Sequence, residues 1–181
     1  MTSETARPDG RRKPFCIGLL GRSGAGKTTL GSQVLAALTR RGLRVVALKD
    51  AHHGVDLDKP GKDTWRYREA GAERVILRTA ERWTVMSETP EGPPPVEMLI
   101  ALAGDADIVL IEGFKHEGDF PRIEIRRSAV SDAPPISTPD HPPAAFATDY
   151  RFEGFEGVPR LDVNDPEAVA DFIEALSARR A

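Results

Sequence analysis

The chain has 181 residues, of which 40% are hydrophobic and 29% charged, enough for one soluble domain with a substantial core. Its net charge of -3 argues against a dedicated nucleic-acid binder, because such proteins usually carry a basic excess. One cysteine excludes an internal disulfide and a cysteine-based metal site, and no apolar run reaches the length of a membrane span. We therefore expect a cytoplasmic protein without a membrane or nucleic-acid partner.

The N-terminal segment, residues 1–13, is polar and contains the basic run Arg11–Lys13. A short charge run is usually solvated, so we expect a mobile tail rather than a nucleic-acid patch. The predicted elements then follow without a linker or internal repeat. We therefore expect a single domain over residues 14–181.

The first predicted elements enclose the pattern G-x-x-x-x-G-K-[ST]. An apolar strand, Phe15–Leu20, precedes it, and Thr28–Arg41 follows with apolar residues at helical spacing. This context is what the pattern needs in order to act as a P-loop, which binds phosphate through backbone N–H groups at the start of a helix. We expect Lys27 to reach the outer phosphates and Thr28 to bind Mg²⁺. The residues assigned to the nucleotide here are Gly21, Ser23, Gly24, Ala25, Gly26, Lys27, Thr28 and Thr29.

A second strand, Arg44–Lys49, completes a strand–helix–strand unit, which predicts a right-handed crossover and a parallel sheet. We expect this strand to lie beside the P-loop strand, so that the loop after it, Asp50–Lys62, faces the ligand. The loop contains His52-His53, but imidazoles of adjacent residues do not normally converge on zinc. A Mg²⁺ contact by Asp56 or Asp58, direct or through water, suits the oxygen preference of that ion. A polar surface loop is the alternative.

A helix over Asp63–Gly71 and a hairpin come next. The hairpin joins two β-like runs, Arg74–Arg78 and Trp83–Met86, through a turn, and it interrupts the strand–helix alternation as an antiparallel edge would. Because an exposed apolar edge needs cover, we expect the hairpin to help form a homodimer. A further helix, Val96–Ala103, follows a proline-rich break.

The second strong signal is the apolar strand Asp107–Glu112, which ends in an acid. A carboxylate at this position, beside a P-loop, lies near Mg²⁺ and the reacting oxygens. Glu112 is longer than the more usual aspartate, so two roles stay open, an interaction with Mg²⁺ or the positioning of a water molecule.

The remaining elements extend the sheet. Arg122–Arg126 alternates in polarity, which predicts a strand with one solvated face. A proline-rich loop, Asp132–Pro143, separates it from short strands at Ala144–Ala147 and Arg160–Val163, and a last helix runs from Pro166 to Ala178. The whole order predicts an α/β, three-layer P-loop NTPase fold, a mostly parallel sheet with helices on both faces and an antiparallel hairpin extension.

Several stretches together resemble the MobB family, molybdopterin-guanine dinucleotide biosynthesis protein B. The P-loop alone is unspecific, whereas the Pro-Gly-Lys-Asp and Glu-Gly-Phe-Lys stretches make the resemblance specific. The stretches that carry it are Gly21–Thr29, Asp50–Asp63, Arg66–Ala72, Ile111–Lys115 and Asp162–Asp165. The resemblance implies a homodimeric GTP-binding protein with weak intrinsic GTPase activity, which assists the guanylyltransferase MobA.

Guanine recognition is not explained by this resemblance, because the chain has no Asn-Lys-x-Asp stretch. A carboxylate can accept hydrogen bonds from both N1–H and the 2-amino group of guanine. Asp149, at the end of a late strand, is the best placed candidate, and an ordinary turn aspartate is an equal alternative. Two other functions stay open for the chain, a small-molecule kinase on the same fold and a non-hydrolysing nucleotide-binding adapter.

Overall fold

The computed structural model describes residues 13–51, 58–115, 117–130 and 133–179. By its internal contacts the chain divides into two compact units, a larger one formed by Met1–Asp50 with Val96–Ala181 and a smaller one formed by Ala51–Pro95. Among the described residues, no helix combines the length and the apolar character needed to cross a membrane.

Eight strands and four helices follow one another along the described chain. In order they are β1 (Phe15–Gly21), α1 (Lys27–Arg40), β2 (Val45–Lys49), α2 (Asp63–Glu69), β3 (Arg74–Arg78), β4 (Trp83–Ser87), α3 (Val96–Ala101), β5 (Ile108–Glu112), β6 (Arg122–Arg126), β7 (Ala145–Thr148), β8 (Arg160–Asp162) and α4 (Pro166–Ala178). A short 3-10 helix, Ser128–Val130, follows β6.

The larger unit contains a six-stranded sheet in the order β2-β5-β1-β6-β7-β8. All five strand pairings in it are parallel. The expectation that β2 would neighbour the P-loop strand was wrong, because β5 lies between β2 and β1. The apolar strand β5 is buried over four of its five residues and takes the inner position, whereas β2 is only partly covered.

Helices cover both faces of this sheet, as the alternating side chains of β5 show. Ile108 and Leu110 pack in one apolar cluster with residues of α1 and α4. Val109 and Ile111 point to the other face and pack with Val96 at the start of α3. The predicted three-layer α/β fold is therefore confirmed.

The prediction of a solvated face on β6 was wrong. Glu124 and Arg126 are only 1% and 9% exposed, because the proline-rich segment packs on this face of β6 and hydrogen-bonds to both side chains. The backbone N–H groups of Ile136 and Ser137 each donate to the Glu124 carboxylate at 2.8 Å, which satisfies the buried charge. The alternation in this strand therefore marks buried polar contacts rather than contact with water.

The smaller unit holds α2 and the hairpin. The predicted antiparallel pairing of β3 with β4 is confirmed, with Ile76 opposite Val85. The pair forms a sheet of its own and is not an edge of the six-stranded sheet. Ile76 and Trp83 are 67% and 70% exposed, so the hairpin presents apolar side chains within its unit.

Candidate functional site

The loop between β1 and α1 adopts the bend expected of a P-loop. Gly24 and Gly26 have φ values of 78° and 84°, in the left-handed region that favours glycine. Gly26 is the N-cap of α1, and no described side chain caps this end of the helix. The first N–H groups of α1 are therefore left to bind an anion.

The ammonium group of Lys27 folds back across this loop. Its Nζ donates to the carbonyl oxygens of Gly21 and Arg22, both at 3.0 Å. Burial lowers the pKa of Lys27, Glu112 opposes that change, and the nearby cations Lys115 and Lys49 add to the lowering. The negative charge of a bound phosphate would oppose this lowering of the pKa, because it favours the charged form of Lys27. An anionic ligand therefore suits this loop.

Three side chains converge where β2, β5 and α1 meet. The Thr28 hydroxyl lies 2.9 Å from each carboxylate oxygen of Glu112. The ammonium of Lys49 lies 3.2 Å from Thr28 Oγ1 and 3.3 Å from Glu112 Oε1. This cluster of Thr28, Glu112 and Lys49 contains the predicted pair Thr28 and Glu112, together with a lysine that the sequence reasoning did not select.

The sheet register explains why the cluster forms. Lys49 pairs with Glu112 across β2 and β5, and Leu19 pairs with Glu112 across β1 and β5. All these strands are parallel, so their carboxyl ends lie at one edge of the sheet. Gly113 turns the chain directly after Glu112 with φ 98°, and a Cβ there would lie 2.7 Å from the Cβ of Asp50. The segments that follow β2 and β5 approach each other so closely that residue 113 must be glycine.

Arg122 fixes the loop that follows Glu112. Its guanidinium donates to the carbonyl oxygens of Glu117, Gly118 and Phe120 and lies 4.5 Å from the centre of the Phe120 ring. Partial burial lowers the pKa of Arg122. The segment that contains Lys115 is thus tied to β6, beside the P-loop strand.

The described part of the proline-rich segment, residues 133–143, lies next to the P-loop. It forms the two hydrogen bonds to Glu124 given above, and Ala133 O accepts a further one from Arg126 Nη2 at 2.9 Å. From the P-loop itself, Arg22 Nη2 donates to Pro134 O at 3.2 Å. Arg22, the arginine within the P-loop, therefore contacts the proline-rich segment.

Asp149 follows β7 directly, at the same edge of the sheet as the P-loop. Its carboxylate accepts from the backbone N–H of Ser128 at 2.7 Å and from the Ser128 hydroxyl at 3.3 Å. It also lines an open groove with residues that follow β7 and β8, among them Phe152, Arg160 and Asn164. Both sequence interpretations, a turn residue and a base-reading residue, are compatible with this place.

Arg127 is a second cation at the P-loop that sequence reasoning missed. A Cβ built on Gly26 would lie 3.1 Å from Arg127 Nε. The guanidinium donates to Asn164 Oδ1 at 2.9 Å, which ties the end of β6 to the segment that follows β8. In the sequence, Arg127 directly follows the predicted strand Arg122–Arg126, but only the pairing of that strand with β1 places it beside the P-loop.

The loop proposed to supply a further Mg²⁺ ligand belongs to the smaller unit. There Asp58 Oδ1 accepts from the Thr64 hydroxyl at 2.8 Å and from Lys59 N at 3.0 Å. His52, His53 and Asp56 lie outside the described residues. The larger unit contains the P-loop, Glu112 and Asp149, whereas Asp58 belongs to the smaller unit.

Comparison with known proteins agrees with this architecture. Residues 16–149 match the family described as molybdopterin guanine dinucleotide synthesis protein B, MobB. The chain is 41% identical over 162 residues to a molybdopterin-guanine dinucleotide biosynthesis adapter protein of Haemophilus influenzae, covering 87% of this chain and 86% of the relative. A protein of the same name from Escherichia coli is 38% identical over 154 residues, covering 83% and 86%.

A solved structure has the same fold. The crystal structure of Bacillus subtilis MobB aligns with a TM-score of 0.67 and 23% identity, covering 89% of this chain and 96% of that chain. At this identity the likeness concerns the fold alone.

Proposed function

The chain belongs to the MobB family, and on that premise we propose that it is a GTP-binding accessory protein of molybdopterin guanine dinucleotide biosynthesis with weak GTPase activity. Membership of the family supports the role of an adapter in that pathway. The nucleotide, its hydrolysis and the partner, the guanylyltransferase MobA, are our proposal.

The observation that carries the proposal is the contact between Thr28 and Glu112 beside the P-loop. A hydroxyl in the first turn of the P-loop helix and a carboxylate at the end of an adjacent strand are the oxygen groups that hold Mg²⁺ beside a nucleoside triphosphate. The pair fits a cation, because the Lys49 ammonium already lies 3.2 Å and 3.3 Å from its oxygens. Bound Mg²⁺ would place positive charge beside the β- and γ-phosphates and so stabilise their negative charge.

The roles of the individual residues follow from their positions. Lys27 and the loop N–H groups bind the phosphates, with Gly21, Ser23, Gly24, Ala25, Gly26 and Thr29 forming the rest of the cradle. Glu112 orients Mg²⁺ or a water molecule that it holds. Asp149, at the end of β7, is proposed to read guanine.

Slow turnover is part of the proposal. Arg22, the arginine within the P-loop, donates to Pro134 O. Arg127, near Gly26, donates to Asn164 Oδ1. An arginine placed on the transferring phosphate is worth about 10³–10⁵ in rate, so a site whose nearby arginines are held by other protein groups turns over slowly until a partner contributes. An accessory protein that responds to its partner needs this low basal rate.

The exposed apolar hairpin supports a homodimer. Ile76, Leu77, Trp83 and Val85 are all exposed on β3 and β4. A two-stranded sheet by itself has little stability in water, and a second copy packed on the face that carries Ile76, Val85 and Trp83 would cover these three side chains. Sedimentation should give the mass of a dimer for the intact chain and of a monomer for Trp83→Glu, and a monomeric intact chain would contradict this part.

The function is tested by incubating the protein with GTP and Mg²⁺, alone and with a purified guanylyltransferase and molybdopterin. We expect slow phosphate release from the protein alone and faster release with the transferase. We also expect more dinucleotide product than the transferase makes without this protein. Phosphate transferred to an acceptor would instead identify a kinase. Nucleotide binding with no turnover under any condition would identify a non-hydrolysing adapter.

A further inference from the structure

Lys49 contacts both oxygen-bearing groups that the proposed function assigns to Mg²⁺. Its ammonium donates to Thr28 Oγ1 at 3.2 Å and forms an ion pair with Glu112 Oε1 at 3.3 Å. Thr28 in turn directs its own proton to the Glu112 carboxylate at 2.9 Å. One hydroxyl proton and two lone pairs make this arrangement possible, since the hydroxyl donates to the carboxylate and accepts from the lysine.

The backbone around Lys49 is fixed. Lys49 is paired with Glu112 in the sheet, and the next residue, Asp50, donates its N–H to the Glu112 carbonyl oxygen at 2.9 Å. The only freedom left to the charge is rotation of the four-carbon side chain, which is 56% exposed. The ammonium can therefore leave the carboxylate for water, or for a phosphate, without any change in the strand.

A divalent cation and an ammonium group cannot share one carboxylate oxygen without repulsion, because like charges a few ångströms apart disfavour each other. We propose that Lys49 is a tethered counter-cation for the Thr28–Glu112 pair, which Mg²⁺ must displace when it arrives with the nucleotide. This inference rests on the proposed function, and it assigns to Lys49 control over how much Mg²⁺ the site needs.

The test measures GTP affinity by calorimetry over a series of Mg²⁺ concentrations and records the concentration that gives half of the Mg²⁺-dependent gain. For Lys49→Met we expect this midpoint to fall by about two- to fivefold, the range of a partly exposed ion pair. The affinity at saturating Mg²⁺ should stay within about twofold of the wild type, because the competitor is then already displaced.

Two variants make the result specific. Lys49→Arg keeps the charge and should return the midpoint towards that of the wild type. Lys13→Met removes the same charge from the larger unit but at the amino end of β1, away from the site, and should leave the midpoint unchanged. Thermal unfolding of each variant verifies that the fold is retained.

An unchanged or raised midpoint in Lys49→Met would overturn the inference. So would a loss of GTP affinity that is equal at every Mg²⁺ concentration, because it would make Lys49 an ordinary phosphate contact. Both results leave the proposed function intact, since the wild type still binds GTP. A wild type that binds no GTP at any Mg²⁺ concentration would overturn the proposed function and this inference together.

Discussion

The hydroxyl of Thr28 lies 2.9 Å from both carboxylate oxygens of Glu112, which joins the first turn of α1 to the end of β5. These residues are 84 positions apart in the chain, and only the parallel sheet brings them together. The contact links the phosphate cradle to an acid, which is the arrangement a Mg²⁺-dependent nucleotide site requires.

Glu112→Gln keeps a hydrogen-bond acceptor for Thr28 but removes the negative charge. We expect Mg²⁺-dependent GTP binding or hydrolysis to fall by about 10- to 100-fold, as when a group that orients a metal site is changed. Phosphate release and calorimetry measure the two effects. Glu97→Gln, an exposed carboxylate in the first turn of α3, serves as the control and should behave as the wild type. If Glu112→Gln bound and hydrolysed GTP as well as Glu97→Gln, Glu112 would have no role in the site.

Lys27 predicts a pH dependence of stability. Its pKa in the folded protein lies below the ordinary value of 10.5, mainly through burial. Between those two values the unfolded chain binds more protons, so the free energy of unfolding gains a contribution that rises with pH. The wild type should therefore gain stability relative to Lys27→Met as the pH is raised from neutral towards 10.5.

Denaturant unfolding of both proteins at several pH values measures this difference, and the other lysines cancel because both chains carry them. A difference that stays constant or falls with pH would show that burial does not disfavour the charged form of Lys27.

Asp149→Asn tests the proposed reading of guanine. The amide cannot accept both guanine hydrogen bonds, so GTP affinity should fall by about tenfold or more while ATP affinity changes little. Competition titrations with the two nucleotides measure the ratio. Ser128→Ala is the matched control, since it removes the hydroxyl bond to Asp149 and leaves the carboxylate. Equal losses for GTP and ATP would leave Asp149 as a turn residue only.

Glu124→Gln tests the buried carboxylate of β6. The amide would turn its NH₂ group towards one of the two donors, Ile136 N or Ser137 N, and leave a buried N–H unsatisfied. We expect a loss of about 1–3 kcal/mol in the free energy of unfolding. Glu153→Gln, an exposed residue, should change it by less than about 0.5 kcal/mol. A Glu124→Gln protein as stable as that control would contradict the role given to Glu124.

The sequence was sufficient for the parts of the fold that depend on local pattern. The P-loop with its flanking elements, the strand that ends at Glu112 and the hairpin are all found close to their predicted bounds. The resemblance to MobB is confirmed by the family match over residues 16–149. Each of these features depends on a short, contiguous stretch of sequence.

The features that were missed depend on contacts between distant segments. Lys49 could be assigned to the site only once β2 was known to pair with β5, because its partner is the acid at the end of that strand. Glu124 and Arg126 looked like solvent contacts because alternation alone does not distinguish water from a buried hydrogen-bond partner.

The central claim is that the loop before α1 binds a nucleoside triphosphate through Lys27. Calorimetric titration of GTP with Mg²⁺ into the intact protein and into a folded Lys27→Ala variant tests it most directly. We expect saturable binding to the wild type and a loss of at least about 100-fold in the variant, because the outer phosphates lose a charged hydrogen bond in a partly buried site. No heat of binding with the wild type, or equal affinity in the variant, would contradict the account.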